Sequence, residues 1–208
     1  MGARSGGGAN GGMGGKLPFG VSKSGRDFNN IPGFKRIKNP EVKKQLIQAL
    51  VDYDNTFGVR QEDIRLKSLK GALGVHWTTG GQTGWIDLDS KTFVKKDAKG
   101  VKATMEYSMN TGFLVKNKQP MRMTLAHEVG HATWNQHMTS PKAQKAGVQF
   151  QKIYNAYLKD SKTSASGWGR YSKTNVSEFV AEGITKHIYG KKDKYTKAIA
   201  KTIKDFKL

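Results

Sequence analysis

The sequence predicts an α+β fold: a small, mostly antiparallel, twisted sheet, a central helix and a helical C-terminal subdomain. Three observations predict it. Between residues 63 and 115, short β-branched and aromatic stretches are split by glycines. Beyond Pro120 the apolar residues recur at helical spacing instead. The chain has 208 residues, the size of one ordinary domain at about 100–200 residues each.

The elements follow in order. Nine of the first 20 residues are glycine and no acidic residue precedes Asp27, so backbone entropy predicts a flexible arm over 1–26 and a folded domain over 27–208. Asn39 as N-cap, Pro40 at the first helical position, and Val42, Leu46, Ile47, Leu50 and Val51 at helical spacing predict a helix that stops near Gly58. Strands are expected at Ile64–Leu69, Leu73–Thr78, Trp85–Leu88, Val101–Tyr107 and Phe113–Val115. The glycines of TTGGQTGW, 78–85, read as a hairpin turn, because no helix follows to make a phosphate cradle. Helices are expected over 121–138, 142–159, 175–189 and 193–207, separated by Ser140-Pro141, the loop SKTSASGWGR and Gly190. The last places Tyr195, Ile199, Thr202, Ile203 and Phe206 on one stripe, with Lys194, Lys197, Lys201, Lys204 and Lys207 elsewhere: a docked helix with a solvated lysine face.

Composition narrows the chemistry. Lys and Arg number 36 against 16 Asp and Glu, a formal charge of +20, which attracts nucleic acid, anionic membranes or acidic partners without choosing among them. Mean hydropathy is -0.63, yet 9 Phe, 7 Tyr and 4 Trp supply the bulk for a core. The absence of cysteine excludes disulfides, a thiolate zinc site and a cysteine nucleophile, so a metal must be held by His, Asp or Glu. No apolar run approaches the roughly 18 residues that span a bilayer, and MGARSGGGANGGMGG lacks the apolar centre of a secretory signal. Ser5 and Gly6 also miss the Ser or Thr that a myristoylation signal places at position six. The expectation is a cytoplasmic or virion-associated chain.

One motif carries chemistry. In MRMTLAHEVGHATWNQH, His127, Glu128 and His131 form H-E-x-x-H. Residues four apart on a helix differ by about 40° in azimuth, so both imidazoles reach one metal from one face. Glu128 then touches a metal-bound water without ligating. Zinc lowers the pKa of that water toward about 7, and the carboxylate takes its proton during attack on a carbonyl. Random placement of the five histidines and six glutamates would yield about 0.003 such matches in the chain. Leu125, Val129 and Ala132 form a separate apolar face, so packing does not require the histidines.

A catalytic zinc needs a third protein ligand and an open fourth position. His137, ten residues after His127, has the metzincin spacing, but a continuing helix turns it about 280° away. Trp134 stands where that spacing wants glycine, and Met138 leaves no room for a Met-turn. The other candidate is Glu178 in NVSEFVAEGITKHIY, four residues before Glu182 and on the same helix face. One of these carboxylates could ligate zinc while the other holds a ligand histidine. The plainer reading has Glu178 closing a capping box with Asn175 and Glu182 as a solvated charge.

The pairing of HEVGH with YSKTNVSEFVAEGI resembles the gluzincin metalloproteases of the anthrax lethal factor catalytic domain and the clostridial Pro-Pro endopeptidases. There a Tyr lies seven residues before the ligand glutamate, as Tyr171 does before Glu178. The resemblance covers about 121–189 and implies a zincin-like fold and a zinc endopeptidase acting on protein or peptide. It implies His127, His131 and Glu178 as zinc ligands, Glu128 as general base, Tyr171 as the phenol that stabilises the oxyanion, and Glu182 behind the ligands. Gly167 and Gly169 would let the Tyr171 loop move, and Arg170 reads as a surface cation. Zincins lay the substrate on an antiparallel edge strand, here Val101–Tyr107 or Phe113–Val115. The competing reading is a basic, nucleic-acid-associated or phage-virion structural protein whose zinc site is vestigial or processes its neighbours. His76 and His187 carry no assigned role.

Overall fold

The computed structural model describes residues 17–58, 63–79, 82–160 and 167–208. It is a mixed α+β fold. Among the described residues there are seven α-helices and a three-stranded sheet. The first helix, α1 (Pro40–Phe57), begins as the sequence predicts: the Asn39 side chain accepts from the backbone N–H of Glu41 and Val42 at 3.0 and 3.2 Å. Val42, Leu46, Ile47 and Leu50 are buried, and Gly58 (φ 80) ends the helix.

The segment before it departs from expectation. Residues 17–26, expected in the arm, fold back on α1. Ser22 is buried and donates to Asp54 at 2.6 Å, Ser24 donates to the same carboxylate, and Val21 bridges Asp27. Buried polar groups find partners there, so the glycine-rich composition did not govern the whole stretch. Residues 1–16, with the near-miss myristoylation site, lie outside the described residues.

The sheet contains β1 (Ile64–Lys67), β2 (Gly74–Thr79) and β3 (Gln82–Asp89) in the order β1-β3-β2. β1 runs parallel to β3 and β2 antiparallel to it, so the sheet is mixed rather than mostly antiparallel. Ile64, Leu66, Ile86 and Leu88 are buried on one face. β2 and β3 pair as the hairpin expectation requires, though Gly80 and Gly81 themselves lie outside the described residues. The short helix α2 (Ser90–Phe93) follows, N-capped by Asp89.

The expected strand Val101–Tyr107 is instead helical, within α3 (Ala98–Asn110). Its apolar residues alternate, which imitates a strand, but only Val101, Met105 and Met109 are buried, at helical spacing. Asp97 decides the matter locally by accepting from the Gly100 N–H at 2.7 Å as N-cap. Phe113–Val115 is not a strand either. It is the turn after α3, reversed by Gly112 (φ 74), with Val115 packed on Met109 and Met123.

Four helices complete the fold: α4 (Met123–Asn135), α5 (Pro141–Lys159), α6 (Val176–Tyr189) and α7 (Lys194–Phe206). α4 packs between the sheet and α6. Tyr157, Trp168, Phe179 and Tyr195 form an aromatic cluster joining α5, α6 and α7, with Trp168 stacked on Phe179 at 5.2 Å. Asp193 and Thr196 close a capping box on α7, which buries Tyr195, Ile199 and Ile203. Among the described residues no helix is long and apolar enough to cross a membrane.

Candidate metal centre

α4 is held from two sides. Arg122, just before it, donates to Gln45 and Asp52 of α1 at 2.6 and 2.8 Å. The buried Tyr53 hydroxyl pairs with Thr133 at 2.7 Å. Its apolar residues Leu125, Ala126 and Val129 face the core, which directs His127 and His131 to one side.

α6 approaches that side closely because of Gly130. A β-carbon there would stand 2.9 Å from Ala181 Cα and 3.2 Å from Ala181 Cβ, so only glycine permits the crossing. The crossing sets Glu178, in the first turn of α6, against both imidazoles. His127 Nε2 lies 3.1 Å from Glu178 Oε2, His131 Nε2 lies 3.5 Å from it, and the two Nε2 atoms are 3.1 Å apart. Three donors around a tetrahedral ion with bonds of about 2.0–2.1 Å are separated by about 3.3 Å. His127, His131 and Glu178 can hold a metal ion.

The surroundings favour a cation. Glu182, fully buried one turn on, places Oε1 3.4 Å from His127 Nδ1. The buried Glu178 Oε2 lacks a hydrogen-bond partner among the described residues, a costly state that an ion on the cluster relieves. Three carboxylates, those of Glu128, Glu178 and Glu182, surround two imidazoles. Burial opposes charge on His127, but the facing carboxylates of Glu178, Glu182 and Glu128 push its pKa up to about 10. Burial also opposes ionisation of Glu178, yet the two imidazoles hold its carboxyl well below the usual range. Ser177 Oγ fixes the other ring nitrogen of His131 at 2.9 Å.

Glu128 stands beside the triad outside it, buried beneath the edge strand. A β-carbon on Gly74 would lie 2.7 Å from Glu128 Cγ and 2.8 Å from Oε1, so β2 runs close over this carboxylate. Burial raises the Glu128 carboxyl, with His127 and His131 pulling against it. His76, also on β2, accepts from Asn135 at 3.2 Å through Nδ1, and burial with His131 nearby pushes its pKa down to about 4.

These groups open into a cleft of about 570 Å³ between β2, the turn after α3, α4 and the start of α6. Tyr171 is on its wall, in a 3-10 turn (Arg170–Lys173), with its ring 5.7 Å from Phe113. β2, not Val101–Tyr107 or Phe113–Val115, is the edge strand bordering the cleft, because those segments are helix and turn. His137 does not join the triad: α4 ends at Asn135, and the His137 ring turns onto Trp134, with Nδ1 2.5 Å from the Trp134 carbonyl. Asn175 does cap α6 through the Glu178 N–H at 2.9 Å, but the Glu178 side chain goes to the histidines. Gly169 is required for contact rather than movement, since a β-carbon there would meet Phe113 O at 2.5 Å and Glu182 Oε2 at 2.9 Å. Arg170 is not free: it donates to the Thr111 carbonyl at 2.7 Å and lies over Phe113. His187 lies away from the cleft, against Phe57, with Nδ1 3.1 Å from the Thr196 carbonyl.

Ser177, Gly74 and Gly130 were not anticipated from the sequence, while Tyr107 and Phe113 fall in the two segments expected to bind substrate but stand there on a helix and a turn rather than on strands. Only the glycine inside HEVGH carried a signal, a poor helix former in mid-helix. Comparison with protein-family profiles, curated proteins and solved structures finds no match to this chain.

Proposed function

We propose that the chain is a zinc-dependent endopeptidase of gluzincin type with a zincin-like domain, as the resemblance of its two motifs to lethal factor and the Pro-Pro endopeptidases implies. The observation that carries this reading is the convergence of two imidazole nitrogens and one carboxylate oxygen at 3.1–3.5 Å, with Glu128 alongside. His127, His131 and Glu178 would hold zinc, which when bound polarises a carbonyl and acidifies a water.

The chain's own groups account for the rest. The open edge of β2 hydrogen-bonds an extended peptide across the cleft. Glu128 takes the proton of the attacking water and returns it to the leaving amine. The Tyr171 hydroxyl donates to the oxygen of the scissile carbonyl as negative charge develops on it. Glu182 and Ser177 hold the ligand imidazoles in place. The test is zinc content and peptide hydrolysis for wild type, Glu128→Ala and Glu178→Ala. Glu128→Ala should keep zinc and lose activity; a zinc-loaded, active Glu178→Ala protein sinks the ligand assignment.

A second reading, association with nucleic acid in a cell or a virion, draws on the adjacent helices α5 and α7. Lys142, Lys145, Lys152 and Lys159 are exposed on one, Lys197, Lys201 and Lys204 on the other, and α5 contains no acidic residue. None of them lines the cleft. Binding to duplex DNA that weakens steeply with salt, and less steeply after lysine replacement on these helices, supports it; binding that is flat up to about 0.2 M salt counts against it.

A further inference from the structure

We infer that the cleft selects an uncharged peptide segment carrying an apolar or aromatic side chain next to the scissile bond; this rests on the endopeptidase reading. Lys and Arg supply 36 of the 208 residues, yet none of those among the described residues lines the cleft. Apart from Glu128, Glu178 and the histidines, its lining is neutral. Among the described residues, the positive charge of this protein lies outside the cleft.

The two walls differ. On the β2 side Gly71 and Ala72, which have almost no side chain, lead into Leu73, Gly74, Val75 and His76 along the strand edge. The facing wall is aromatic. Tyr107 is 71% exposed, Phe113 45% and Tyr171 41%, so large apolar surfaces stand uncovered at the cleft. This wall is built to stay in place. Phe113 is held between the Tyr171 ring at 5.7 Å and the Arg170 guanidinium at 4.6 Å. The Arg170 backbone N–H also donates to the Gly112 carbonyl at 2.7 Å, and its side chain to the Thr111 carbonyl. The guanidinium is thus committed to the back of the wall and offers no counter-charge to a substrate carboxylate.

An apolar or aromatic side chain entering here removes apolar surface of both partners from water. A glutamate in the same place loses water and meets no partner, and a lysine recovers only a cation-π contact against the rings. Selectivity follows from that difference, on the order of 10-fold or more in affinity per position.

The test uses a positional-scanning set of blocked peptides in which each position in turn is Phe, Leu, Lys or Glu. Binding is measured to the full-length, zinc-loaded Glu128→Gln protein, and hydrolysis separately with the wild type. At one or two adjacent positions, Phe and Leu peptides should bind roughly 10-fold or more tightly than Lys or Glu peptides. Tyr107→Glu, a change at an exposed side chain, should shift the preference there toward Lys. The inference is overturned if no peptide binds, if charged residues are accepted equally, or if Tyr107→Glu leaves the order unchanged. Selective binding without wild-type hydrolysis upholds it and overturns the endopeptidase reading instead.

Discussion

Gly130→Ala tests the idea that the metal site is made by the close crossing of two helices. In isolation this substitution favours a helix by about 0.5–1 kcal/mol. Here the new methyl would sit 2.9 Å from Ala181 Cα, which is backbone and cannot rotate away. Ordinary contact needs about 3.5–4.0 Å, so α6 must retreat by about 0.6–1 Å. Such overpacking costs about 1–3 kcal/mol, and the middle of that range outweighs the propensity gain, for a net loss of roughly 1–2 kcal/mol. For a domain of this size that is a fall of about 2–8 °C in Tm. The same retreat carries Glu178 away from nitrogens now 3.1 and 3.5 Å distant. Zinc affinity should fall about 10–100-fold, as it does when ligand positioning is lost. Chelator competition for zinc and a thermal melt of the metal-free protein measure the two effects. If Gly130→Ala binds zinc as the wild type does and melts no lower, the close crossing does not position Glu178.

Tyr171→Phe should leave zinc content unchanged and lower turnover by about 10²–10³-fold; equal turnover would remove Tyr171 from the oxyanion role. Ser177→Ala and Glu182→Gln should each weaken zinc binding by about 10–100-fold while the triad stays intact, read by the same chelator competition. His76 takes up a proton at about pH 6.5 in the unfolded chain and near pH 4 in the folded one. The unfolded state therefore binds more protons between those values, and the His76 contribution makes stability fall as pH drops from about 6.5 toward 4. Replacing His76 with Gln should flatten the denaturation midpoint across that window; an unchanged slope would show that His76 is not the group responsible.

Much of the helical part was legible because its signals are local. Asn39-Pro40, Ser140-Pro141 and Asp193 cap their helices as side-chain chemistry requires. Val101–Tyr107 misled for an equally local reason. Alternating apolar residues serve a strand or a helix, and a helix that buries only every fourth residue leaves Tyr107 exposed for the cleft. The sheet's mixed pairing depends on β1 pairing parallel with β3 rather than with its sequence neighbour β2, a long-range choice that no short pattern encodes.

By itself the sequence determined that a metal, if held, is held by oxygen and nitrogen, and that His127 and His131 share a helix face, because cysteine is absent and the helical period is fixed. It left the third ligand open between a residue ten positions away and one more than forty away. Only the tertiary structure brings one of the two beside both histidines, and for a packing reason. α4 ends before His137, while Gly130 lets α6 approach until Glu178 lies 3.1 Å from His127. The strand that borders the cleft and the aromatic wall opposite were likewise settled by which surfaces the core left uncovered.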